Sequence, residues 1–167
     1  MSTMTEVIWH GRGGQGAKTA ATMLAAMAIH EGKFSQGSPE YGPERQGAPM
    51  KGYTRIDARP IRIHSAIQNG DVSVVLDPTL VRSVDILGQM KHDGILIVNT
   101  TKTPDELRAD MKAPETLRIY TVDATGIALQ ELKRDLPNTP LLGALIRVTE
   151  ILDRKSTRLN SSHVSQS

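Results

Sequence analysis

The 167-residue sequence contains no cysteine. It therefore has no disulfide framework, and no thiolate for an iron–sulfur cluster or a structural zinc. Aromatics are nearly as scarce, with one tryptophan, three tyrosines and one phenylalanine. So few rings argue against base-stacking platforms. Long apolar runs are missing too. The longest, Met23 to Ile29, falls far short of the roughly 18 residues that a membrane-spanning helix needs. The N-terminus lacks a basic region followed by an apolar stretch, so no signal peptide is expected. A cytoplasmic, reducing setting fits these absences. Charge of one sign is also lacking. The formal net charge is +2, and residues 153–167 carry Arg154, Lys155 and Arg158 against Asp153 alone. Without them, 17 basic residues face 17 acidic ones. The body thus offers no broad nucleic-acid surface.

The length suits one domain with a real core. Its last residues stand apart. Asp153 to His163 reads Asp-Arg-Lys-Ser-Thr-Arg-Leu-Asn-Ser-Ser-His. Codon by codon, this resembles a widely used sequencing adapter read in frame. We therefore expect residues 1–152 to be the genuine body, cut just after Leu152, and residues 153–167 to be a non-native tail. His163 is set aside as a ligand for the same reason.

Thr5 to Trp9 reads as a short strand, followed by the glycine-rich turn Gly11-Arg12-Gly13-Gly14-Gln15-Gly16. From Ala17 the pattern is helical. Ala17, Ala20, Ala21, Leu24 and Ala28 share one face, and Glu31-Gly32 ends the helix. An extended piece, Lys33 to Gln36, leads into Gly37–Pro49. Three glycines and three prolines in those thirteen residues exclude a regular element. Met50 to Asp57 alternates as a strand, Ala58–Pro60 is a turn, and Ile61–Ile63 suits another short strand. Val72–Leu76, Gly94–Val98 and Arg118–Val122 are strands. Thr79–Met90 looks helical. Thr103-Pro104-Asp105-Glu106 is a capped helix start. Leu141–Leu152 is a final helix. Strands alternating with helices predict an α/β, Rossmann-like, three-layer domain with a mostly parallel sheet.

Gly11, Gly13 and Gly16 satisfy G-x-G-x-x-G between a strand and a helix. Glycines permit positive φ and leave no Cβ in the way of a phosphate. The helix N-terminus adds unpaired N–H groups and partial positive charge. Arg12 and Lys18 are candidate sources of charge, with Gly14 and Gln15 inside the turn. The same glycines would also serve close strand–helix packing alone. A dinucleotide site expects an acid about 20 residues on, at the end of the second strand. Phe34-Ser35-Gln36 offers none, which argues against NAD.

The loop Ser38–Pro49 sets Glu40, Tyr41, Glu44 and Arg45 among rigid punctuators. Loops of this kind carry active-site edges or docking contacts, although an internal Glu–Arg pair on a plain surface loop would also account for it. Asp77, Asn99 and Asp123 end predicted strands on the side where such sheets bind ligands. Asp77, before Pro78, suits a helix cap. Asn99 suits either a turn or the ligand edge. His10, His30, His64 and His92 show no metal-binding spacing.

Several of these segments carry a resemblance together. His10-Gly-Arg-Gly-Gly-Gln-Gly-Ala-Lys-Thr-Ala, Glu31-Gly-Lys, Pro39-Glu-Tyr-Gly-Pro-Glu-Arg-Gln-Gly-Ala-Pro-Met, Val75-Leu-Asp-Pro-Thr-Leu and Leu96-Ile-Val-Asn-Thr are similar to the gamma subunit of 2-oxoacid:ferredoxin oxidoreductases. The nearest group is that of pyruvate (pyruvate synthase) and ketoisovalerate. The likeness runs from about Val7 to Leu152, and Gln46 stands where many relatives have a second arginine.

The resemblance implies a subunit of an enzyme that oxidatively decarboxylates a 2-oxoacid with coenzyme A and passes electrons to ferredoxin. Thiamine diphosphate, magnesium and iron–sulfur clusters would sit on the alpha, beta and delta partners. The gamma module would hold coenzyme A and complete the assembly. Gly11, Arg12, Gly13, Gly14, Gln15, Gly16, Lys18 and Arg45 are then the candidate coenzyme A residues. Glu40, Tyr41, Glu44 and Asn99 mark the subunit or active-site edge. No catalytic residue and no metal ligand is assigned to this chain. Two alternatives remain at this point: a stand-alone NAD(P)-binding oxidoreductase and a purely structural interaction subunit.

Overall fold

The computed structural model describes residues 4–40, 46–153 and 165–166. Among them, seven strands form one sheet in the order β2-β3-β1-β4-β5-β6-β7. The strands are β1 (Thr5–Arg12), β2 (Phe34–Pro39), β3 (Pro49–Asp57), β4 (Gly70–Val75), β5 (Met90–Asn99), β6 (Arg118–Val122) and β7 (Ser165–Gln166). The helices are α1 (Ala17–His30), α2 (Leu80–Ser83), α3 (Pro104–Met111), α4 (Ala124–Glu131) and α5 (Asn138–Thr149). β1, β4, β5 and β6 run parallel. β2 and β3 add an antiparallel margin on one side, and β7 pairs antiparallel with β6 on the other.

The sheet is covered on both faces, as the strand–helix alternation predicts. On one face, Val7, Trp9, Val72, Val74 and Ile97 pack against α1 and α5. On the other, Val75, Leu96, Val98 and Ile119 pack against Leu80 of α2 and Leu107 of α3. Alternate β-branched and leucine side chains thus enter opposite cores, as the strand period of two requires.

α1 lies unusually close to the sheet, and small residues at the contact explain why. A Cβ on Gly37 would stand 2.9 Å from both Ala21 O and Thr22 Cα, and one on Gly52 would stand 3.0 Å from Ala17 O. All five residues predicted to share the inner face of α1 are buried. The indole of Trp9 donates to Thr54 Oγ1 at 3.0 Å, and that hydroxyl donates to Ala21 O at 2.8 Å. One buried relay therefore links β1, β3 and α1.

Four expectations are corrected. Gly37–Pro39 continues β2 rather than leaving the sheet. The edge position tolerates proline, and glycine lets α1 pass over it. Thr79–Met90 is not one helix: only Leu80–Ser83 is α-helical, Val84 is extended, and Met90 opens β5. Leu80, Ile86 and Met90 all enter the second core, whereas a straight helix would turn Leu80 and Ile86 to different faces. Ile61–Ile63 forms no strand. The last helix runs Asn138–Thr149 rather than Leu141–Leu152. Pro140 falls in its first turn, where the missing N–H has no helical partner, and Glu150 ends it in the left-handed region at φ 52°. α4 was not foreseen.

Candidate functional site

The strand order reverses around β1, which sits between β3 and β4. In open α/β sheets, ligands bind at the carboxyl edge beside such a reversal. The glycine turn lies there. Gly14 and Gly16 adopt φ of 92° and 88°, conformations that favour glycine. Among the described residues, no side chain caps the N-terminus of α1. Its first-turn N–H groups have no intrahelical acceptors, and among the described residues nothing lies within 4 Å of the point where a Cβ on Gly14 would stand. Lys18 is exposed in the first turn of α1. Gly16 faces inward instead, where a Cβ would meet Asn138 Nδ2 of α5 at 2.5 Å.

Gln46–Ala48 lies against the turn. Gly13 N donates to Ala48 O at 3.0 Å, Gly47 N donates to Gly13 O at 3.4 Å, and Gly13 bridges Gln46. The end of the proline- and glycine-rich loop thus reaches the glycine turn. Tyr41, Glu44 and Arg45 lie outside the described residues. Glu40 is exposed at the end of β2, with its carboxylate 4.0 Å from Lys51 Nζ. Burial, and then the Glu40 charge and hydrogen bond, push the Tyr53 hydroxyl above its ordinary range.

Arg12 and Gln15 turn back into the protein. Gln15 Oε1 accepts from Arg12 N at 2.8 Å, and Gln15 Nε2 donates to Asp77 Oδ2 at 2.8 Å. Arg12 Nε lies 3.3 Å from the same Asp77 oxygen. Burial pushes the Asp77 carboxyl upward, but hydrogen bonds from Thr79 and Gln15 and the Arg12 charge outweigh it and hold the group low. Asp77 is not the cap of α2; that position is Thr79. It accepts from Thr79 N at 2.9 Å and from Thr79 Oγ1 at 2.6 Å, closing the turn before the helix. Asn99 is buried. Its amide donates to Leu76 O and Thr125 Oγ1 and accepts from Thr125 N, which ties β4, β5 and α4 together. Asp123 caps α4 through Gly126 N.

His10 is 1% exposed, and its Nε2 has no hydrogen-bond partner among the described residues. Burial, then the nearby Lys51 charge, lower its pKa to about 4, so it is neutral at pH 7. Asp71, of the Asn69-Gly70-Asp71 fragment, takes Lys91 Nζ at 2.5 Å and Glu6 N at 2.8 Å. It is engaged in structure rather than arranged for a magnesium–thiamine site. With no cysteine in the sequence, the donor set does not fit iron–sulfur clusters either.

A family model described as pyruvate ferredoxin/flavodoxin oxidoreductase matches residues 6–161. The chain belongs to that family. Its relatives place it among the gamma subunits that its motifs resemble. It is 52% identical over 147 residues to pyruvate synthase subunit PorC of Thermotoga maritima, covering 88% of this chain and 75% of that protein. It is 48% identical over 153 residues to the common gamma subunit of the pyruvate/ketoisovalerate oxidoreductases of Pyrococcus abyssi, covering 92% and 82%. The crystal structure of pyruvate oxidoreductase subunit PorC from Thermotoga maritima superposes with a TM-score of 0.80 at 47% identity, covering 92% of this chain and 81% of that one. The chain is therefore a subunit of a multi-subunit oxidoreductase, with the α/β fold of those relatives. Among its described residues no helix is long and apolar enough to cross a membrane.

Proposed function

We propose that this gamma subunit holds coenzyme A for the oxidative decarboxylation of pyruvate in the cytoplasm. Its partners are the alpha, beta and delta subunits, which carry thiamine diphosphate, magnesium and the iron–sulfur clusters and deliver electrons to ferredoxin. One observation carries the reading: a glycine turn with positive φ at Gly14 and Gly16, leading into a helix N-terminus that no side chain caps among the described residues. Backbone N–H groups and the helix dipole favour a phosphate there. Lys18 adds charge at the rim, and Arg45 is the further cation we assign from the loop. Glu40, the acid at the end of β2, faces Lys51, and we assign it to the partner edge rather than to a ribose, which favours coenzyme A over a dinucleotide. Glu40, Tyr41 and Glu44 form the edge that meets the partner subunits. Residues 153–167 have no part in this role.

The test is a reconstitution. The chain is co-expressed with the alpha, beta and delta subunits of a close relative, and viologen reduction is followed with pyruvate and coenzyme A. Activity that requires the chain supports the proposal. An alpha, beta and delta assembly that shows the same coenzyme-A-dependent rate without the chain as with it refutes it.

A further inference from the structure

Every nitrogen of the Arg12 guanidinium has a partner inside the fold. Nε faces Asp77 Oδ2 at 3.3 Å, Nη1 donates to Gly47 O at 3.1 Å, and Nη2 donates to Thr79 Oγ1 at 3.0 Å. These partners come from two separate stretches, the entry to β3 and the β4–α2 turn. Arg12 itself belongs to a third, the glycine turn. Asp77 ties two of the three together. It binds Arg12 and Gln15 of the glycine turn through Oδ2, and Thr79 of its own turn through Oδ1. The Arg12 and Asp77 side chains are 28% and 15% exposed, so solvent screens the pair less than it would a free surface bridge. The planar guanidinium suits this place. It aims several donors in fixed directions, which a lysine point charge cannot do.

We propose that Arg12 and Asp77 are positioning residues that lock three loops into one rim, fixing the glycine-turn backbone for phosphate without contacting it themselves. This rests on the coenzyme A reading above and changes the part Arg12 plays in it. A backbone cradle works only if its N–H groups are already aimed before the ligand arrives. Arg12 supplies that aim from behind, and Lys18 supplies charge in front.

Variants are compared in the reconstituted complex. Asp77→Asn is expected to raise the KM for coenzyme A by roughly threefold to tenfold, as loss of orientation predicts, with the KM for pyruvate unchanged. Arg12→Lys does the same although it keeps the charge. Thr79→Val, which removes one Arg12 acceptor but neither charge, moves KM the same way by a smaller factor and serves if the charge variants fold poorly. If Arg12 instead touches the phosphate, Asp77→Asn frees it and lowers the KM, and Arg12→Lys stays near wild type. Either result overturns the proposal. Hydrogen exchange without coenzyme A gives a second readout. Faster exchange across residues 12–16 and 46–49 in Asp77→Asn supports the rim, and unchanged exchange overturns it. Lys18→Ala separates the two levels. If it leaves the KM for coenzyme A unchanged while Asp77→Asn still loosens the rim, the coenzyme A reading fails and the rim stands.

Discussion

His10 makes the fold sensitive to mild acid. The residue is buried in β1, and its pKa falls from an ordinary 6.5 to about 4. The unfolded chain thus takes up a proton below about pH 6.5 that the native chain refuses until about pH 4. Stability is full above that window and falls as pH drops through it. Each pKa unit is worth about 1.4 kcal/mol, so the loss approaches about 3 kcal/mol once both states are protonated. Near pH 4.5 it should already be about 2.5 kcal/mol by the same relation. His10→Leu removes the titrating group and the unpartnered Nε2 while keeping a buried side chain of similar size. Urea unfolding of both proteins at several pH values between about 7.5 and 4.5 reads the difference directly. The gap between variant and wild type should widen in the variant's favour as pH falls. Carboxylates held low, such as Asp77 and Asp110, titrate at more acidic pH and are common to both proteins. Parallel stability–pH curves would show that His10 keeps its ordinary proton affinity in the fold, and the reasoning from burial would be wrong.

Two further outcomes follow from local geometry. Gly14→Ala incurs only left-handed strain, about 1 kcal/mol, because no described residue lies near its Cβ. Gly16→Ala adds displacement of Asn138, roughly 1–3 kcal/mol more; urea midpoints showing Gly14→Ala as the more damaging change would contradict the placement of α5. Thr54→Val strands the buried Trp9 indole N–H, for a loss of about 1–3 kcal/mol measured by thermal unfolding, and an unchanged midpoint would mean that the relay to Ala21 is not formed.

The parts of the fold that were legible are those in which local chemistry and burial agree. The apolar runs of β4, β5 and β6 are too β-branched for any other use. The α1 face and the Thr103 cap are similarly explicit, and Thr103 accepts from Glu106 N as its motif predicts. What was missed depended on distant contacts. Gly37 and Pro39 read as breakers until α1 is laid over β2. α4 hides behind Thr125 and Gly126, both poor helix formers, and only the Asp123 cap could have signalled it. At the site, the glycine turn was plain in the sequence and so was its neighbour loop. The role of Arg12 was not, because a charged residue beside a phosphate motif looks like a ligand. Only the positions of Gly47, Asp77 and Thr79 show where its guanidinium goes.

The most direct measurement is hydrogen exchange of the assembled complex with and without coenzyme A, using pantetheine as a control that lacks the nucleotide phosphates. Coenzyme A should slow exchange in peptides spanning residues 11–24, and pantetheine should not. A complex that turns over coenzyme A while that segment exchanges at the same rate in all three conditions would contradict the assignment of the glycine turn as its phosphate cradle.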